Sequence, residues 1–186
     1  MKDTVASKFA YAAAASFIAG MVVIFTMGLP EFEGQPPLPI NLFTAFGLIF
    51  HLAMLPVIAA LPSPAWAKAS GFTWVVADNM LVMLTYYGAG ADIVPPLRMG
   101  VHLATVTWIF GASMAHQGAF RWVGFLTVLA MAGISLIGPF LGDAVTQASG
   151  PGALLLFVWI ILAGVRLGKS EAAQDITSPQ DVRNIA

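Results

Sequence analysis

Cysteine is absent from the chain, which removes disulfides, thiolate nucleophiles, zinc–thiolate centres and cysteine-ligated iron–sulfur clusters from the range of functions. Charge is scarce: 9% of the 186 residues are Asp, Glu, Lys or Arg, against about a quarter in soluble globular domains. The eight basic and nine acidic residues nearly cancel, so no overall field draws the chain to nucleic acid, which is excluded as a partner. A Gly-rich phosphate loop is also lacking, since Gly88-Ala-Gly90 reads as a turn rather than a cradle. Ser16, Ser113 and Ser135 are scattered small residues of the kind that pack helices, and no Ser-His-Asp arrangement can be drawn from them.

What is abundant is apolar length. Hydrophobic residues make up 59% of the chain and the mean hydropathy is +0.85. Stretches of about 20 apolar residues suffice to cross a hydrocarbon core, and six can be delimited: Phe9–Leu29, Ile40–Leu61, Gly71–Gly88, Leu97–Ala115, Trp122–Leu141 and Ala148–Leu167. The first follows Lys2 and Lys8 and resembles a signal peptide in that respect. Pro30, Glu31 and Phe32 come after it instead of a small-residue cleavage site, so it is expected to stay attached. Within it Ala12, Ser16 and Gly20 recur every four residues, a small-residue face expected to pack against the chain's own helices. The four prolines between Pro30 and Pro39 define a loop, and Pro56 is expected to kink the second helix.

Basic residues set the orientation. With the N-terminus in the cytoplasm, Lys2, Lys8, Lys68, Arg121, Arg166, Lys169 and Arg183 all fall inside and only Arg98 falls outside. The expected fold is therefore all-α, a polytopic bundle of six transmembrane helices with both termini cytoplasmic, in a cell membrane of the bacterial inner-membrane type. Residues 1–169 form one domain and 170–186 a polar, loosely ordered tail.

Ionisable groups within such helices are costly and point to function. At about 1.5 Å per residue, His51 and Asp78 each lie roughly 15 Å below the outer surface and are expected to meet. Asn79 adds hydrogen-bonding capacity beside them, although adjacent helical positions diverge by about 100°. Asn41, Thr44 and His51 fall roughly on one face of the second helix, and Arg98, His102 and Thr105 on one face of the fourth. Tyr86, Tyr87, Arg98 and His102 would form an outer vestibule above the His51–Asp78 level. For Arg98 the favoured alternative is snorkelling to the headgroups, and for the tyrosines an aromatic belt. His116 is expected at the inner surface, solvated, and the methionines 54, 80, 83, 114 and 131 as core fillers. His51 and His102 differ in depth by about 9 Å, which disfavours a bis-His haem. Only His51, Asp78 and His102 could contribute to a zinc site, so no metal is assigned and the cofactor is left unknown.

The run Arg121-Trp122-Val123-Gly124-Phe125, with Pro139 and then Leu156-Phe157-Val158-Trp159 to Arg166, resembles bacterial integral membrane proteins of unassigned function. The resemblance implies no activity and assigns no functional residue. The residues themselves suggest a buried polar site, His51 and Asp78 with Asn79, Tyr86, Arg98 and His102, that binds a lipophilic small molecule or cofactor and supports an isomerisation or redox step by proton transfer. Transport of a small solute or protons through the same groups is the rival reading, and a structural subunit of a membrane complex the third. The lipid bilayer is the expected partner, and a homo-oligomer is left open.

Overall fold

Where water is absent, a helix satisfies its backbone polar groups within one segment, and every apolar stretch takes that form. The computed structural model describes residues 3–30, 32–88, 93–141 and 145–175. It contains helices α1 (Asp3–Met27), α2 (Leu38–Ala60), α3 (Ala65–Tyr86), α4 (Val94–Met114), α5 (Ala119–Ile137) and α6 (Val145–Asp175), with a short 3-10 turn at Gly138–Phe140. Prolines mark several boundaries: Pro37 and Pro64 precede α2 and α3, and Pro39 and Pro95 sit in the first turns of α2 and α4, where a missing N–H costs nothing. Pro56 lies inside α2, which nevertheless runs on to Ala60.

The protein is an all-α six-helix bundle in which α1, α2, α5 and α6 are long and apolar enough to cross a membrane. Helices α3 and α4, of 22 and 21 residues, are of similar length, but Lys68, Asp78 and Asn79 in one and Arg98 and His102 in the other lower their apolar character. Large apolar side chains such as Val22, Leu52, Val76, Leu129 and Leu136 are exposed on the outside, which implies contact with a lipid bilayer.

Each helix packs on its neighbours in sequence, and α6 returns to α1, so the six form a closed ring. Short connections make successive helices antiparallel. Lys8, Lys68, Arg121, Arg166 and Lys169 consequently gather at one end, the basic end, whereas Arg98 is near the start of α4 at the other. Ring closure uses small residues. Ala6, Ala10 and Ala13 of α1 are fully buried, a Cβ on Gly164 of α6 would lie 3.3 Å from that of Ala10, and Ser7 Oγ donates to Gly164 O at 2.7 Å. Close approach of this kind replaces the hydrophobic effect as the driving force for helix association in lipid.

A layer of three indoles closes the middle of the bundle. Trp74, Trp108 and Trp159 are at most 2% exposed. Trp74 stacks on Trp108 at 6.0 Å, and Trp108 meets Trp159 edge-on at 5.1 Å. Glycines make room for them: a Cβ at Gly71 would come 2.9 Å from Trp108 Cγ, and one at Gly124 would come 2.8 Å from Trp159 Nε1. Phe120 and His116 continue the packing toward the basic end.

Several local expectations are corrected. Asn41 is exposed and donates to Pro36 O at 3.0 Å, so it fastens the loop and leaves Thr44 and His51 as the buried polar pair of α2. Ala12 is exposed, while Ser16 and Gly20 face inward. Met80 and Met114 point outward, while Met54 fills the core. His116 is 5% exposed rather than solvated, and its Nδ1 donates to Ala112 O at 2.7 Å, satisfying a carbonyl that the end of α4 leaves open. Residues 170–175, assigned to the loose tail, continue α6, and residues 176–186 lie outside the described residues.

Candidate functional site

Helices α2, α3 and α4 each contribute one ionisable residue to a shared point. Asp78 on α3 lies between His51 on α2, with Nε2 2.9 Å from Oδ2, and Arg98 on α4, whose Nε donates to Oδ1 at 2.9 Å. Nε2 of His51 approaches Oδ2 without the alignment of a hydrogen bond, and Nδ1 has no partner among the described residues. The side chains of His51 and Asp78 are 5% and 7% exposed and that of Arg98 21%.

Aromatic packing fixes these groups. The His51 ring lies against Phe50 at 4.8 Å and edge-on to Trp74 at 5.4 Å. Trp74 stands one helical turn from Asp78 on α3, so the indole layer forms the floor beneath the pair. Arg98 lies over the Phe43 ring, 5.7 Å from its centroid, an attraction worth about 0.5–2 kcal/mol depending on desolvation. Its Nη2 is buried without a partner among the described residues. With the imidazole neutral, the carboxylate and guanidinium cancel. Such a pair is of little net value against an apolar replacement, yet losing one partner strands the other in a low dielectric at a cost of about 3–5 kcal/mol.

Above this cluster, in the half opposite the basic end, is a cavity of about 400 Å³ lined from all six helices. Its volume is within the usual range for small-molecule sites, about 300–1,000 Å³. Space is left by small residues, Ser16 and Gly20 on α1, Gly47 on α2, and Gly152 and Ala153 on α6. Phe17, Phe46, Phe50, Val82, Ile134 and Leu156 form apolar walls, and Met21, Met99 and Met131 add adaptable ones. His51, Asp78, Arg98 and His102 bring the ionisable groups to this lining.

The expected meeting of His51 and Asp78 is therefore found, and His102 faces the same cavity. Asn79 does not: one position further round α3, its Oδ1 is buried without a partner among the described residues. Tyr86 and Tyr87 pack edge-on against each other at 5.4 Å, Tyr87 is 76% exposed, and neither lines the cavity. The tyrosine part of the expected vestibule thus lies off the cavity lining. Arg98 was expected to snorkel outward, but it turns to Asp78. Counted from the helix ends, the two positions differ in depth by about 6 Å, which a guanidinium side chain spans. Charge could have revealed this, since a buried carboxylate needs a cation and Arg98 is the basic residue of that half. Among the described residues no group of three or more His, Asp or Glu side chains is placed to hold a metal ion.

Compared with known proteins, the chain matches no family model, no curated protein and no solved structure.

Proposed function

We propose that this is a six-span membrane protein with both termini in the cytoplasm, whose cavity holds a lipophilic small molecule or cofactor against the His51–Asp78–Arg98 cluster. The observation that carries the reading is the coincidence of a largely apolar cavity, open in one half of the bundle, with an ionisable cluster at its floor. Gathering of five basic side chains at the opposite end supports placing that end in the cytoplasm, so the cavity lies in the outer half of the membrane. All six helices then cross, and the polar groups of α3 and α4 face the interior, as intramembrane ionisable groups do.

The cluster suits proton exchange with a bound group. The His51 ring lies with Nε2 2.9 Å from the Asp78 carboxylate, a pairing of imidazole and carboxylate suited to holding a proton. His102 offers a second exchangeable site on the same cavity. An isomerisation or redox step on the ligand would draw on this capacity. The three buried indoles beneath the cavity weigh against a continuous aqueous pore, so a transport role would require that layer to open.

A photoactivatable lipophilic diazirine probe tests the reading in nanodiscs. Labelling should map to Met21, Met99 or Leu156 on the cavity wall and be displaced by excess unlabelled competitor. Label confined to the lipid-facing Leu129 and Leu136 would count against a ligand site.

A further inference from the structure

We infer that the ligand of this cavity carries a carbonyl-type oxygen head, a neutral ketone-like carbonyl or a carboxylate, and no positive charge. The inference rests on the cavity being a ligand site, and it follows from which atoms of the cluster are already engaged. Asp78 has Oδ1 occupied by Arg98 Nε and Oδ2 faced by His51, and its side chain is 7% exposed. Its negative charge is thus covered on both sides and is not offered to an occupant.

What the lining does offer is cationic and donating. Arg98 is the most exposed member of the cluster at 21%, and a guanidinium has five N–H donors and no acceptor. Asp78 engages the Nε of Arg98, which leaves N–H groups on the exposed part of that side chain for a ligand oxygen in the cavity it lines, and hydrogen bonds from a charged donor are the stronger kind. His102 stands on the same helix one turn further along and also lines the cavity. An ammonium or other cationic head would be placed against Arg98 in an apolar surrounding, where repulsion is weakly screened. A purely apolar occupant would leave the donors as unsatisfied as before.

The two remaining head types differ in their proton balance. Arg98 and Asp78 already cancel, so a neutral carbonyl enters without altering the charge of the site. A carboxylate adds a negative charge that an imidazole of the cavity lining would offset by taking up a proton, and its binding would be accompanied by proton uptake.

The test uses the full-length protein in nanodiscs and a chain-matched series, 2-dodecanone, dodecanoate and dodecylamine, each competing with the diazirine probe, with empty nanodiscs as the blank. The expected order places the ketone, the carboxylate or both at least about tenfold ahead of the amine. Calorimetry in two buffers of different ionisation enthalpy then separates the sources: proton uptake with dodecanoate and none with the ketone. An amine that competes as well as the others overturns the head-group assignment while leaving the ligand site in place. A cavity that labels but yields to none of the three also overturns the assignment. If the cavity wall does not label at all, the ligand-site reading fails with it.

Discussion

Replacing Asp78 with leucine would leave the Arg98 guanidinium without the carboxylate that now lies 2.9 Å from its Nε, and His51 without the oxygen beside its Nε2. Breaking a buried pair costs about 3–5 kcal/mol. Arg98 is 21% exposed and near the start of α4, so it can turn outward in part, and the lower end, about 3 kcal/mol, is expected. For a chain of this length that corresponds to a fall in melting temperature of roughly 6–12 °C. The double variant Asp78→Leu with Arg98→Leu removes both charges and keeps the interior filled, and it should recover to within about 1 kcal/mol of wild type. Thermal unfolding in one detergent, followed by near-ultraviolet circular dichroism of the buried indoles, provides the comparison. A single Asp78→Leu variant as stable as wild type, or a double variant no more stable than that single variant, would refute the reasoning that charge compensation holds the three helices here.

Two further outcomes are expected. Gly124→Ala pushes a methyl group into Ser113 and toward Trp159 Nε1; overpacking should outweigh the gain in helix propensity and lower stability by about 1–3 kcal/mol, read from the same melting curves. His116 lies in the connection between α4 and α5, and burial pushes it below its ordinary value of 6.5, with Arg166 adding to the effect and the Ala112 carbonyl opposing it. The unfolded chain therefore binds the proton first as pH falls. Stability should be fully present above about pH 6.5 and decline below it, and His116→Gln should flatten that part of the stability profile.

Much of the bundle was legible in the sequence because span length and charge placement are one-dimensional properties. Depth along a helix is equally countable, which is why His51 and Asp78 could be brought together by arithmetic. Arg98 was misjudged because counting fixes a Cα and not the end of a long flexible side chain. Asn41 has the right spacing to join Thr44 and His51, but a side chain in the first turn can reach back to the preceding loop, and it bonds Pro36 O. Ring closure through Ser7 and Gly164 joins residues 157 positions apart, beyond any periodicity, although Gly164 and Gly168 carry the same four-residue spacing as Ala12, Ser16 and Gly20. The cavity was the least legible feature, because empty volume depends on where six helices leave small residues facing one another.

The central claim is that this volume is occupied. Native mass spectrometry of the protein released from mild detergent, wild type beside Ala153→Phe, tests it most directly, since Ala153 lines the cavity and a phenyl ring there would take up part of its volume. The expected result is a stoichiometric small-molecule adduct on the wild type, reduced on the variant although both melt alike. Equal adducts on the two proteins, or none on either, would contradict the assignment of the cavity as a ligand site.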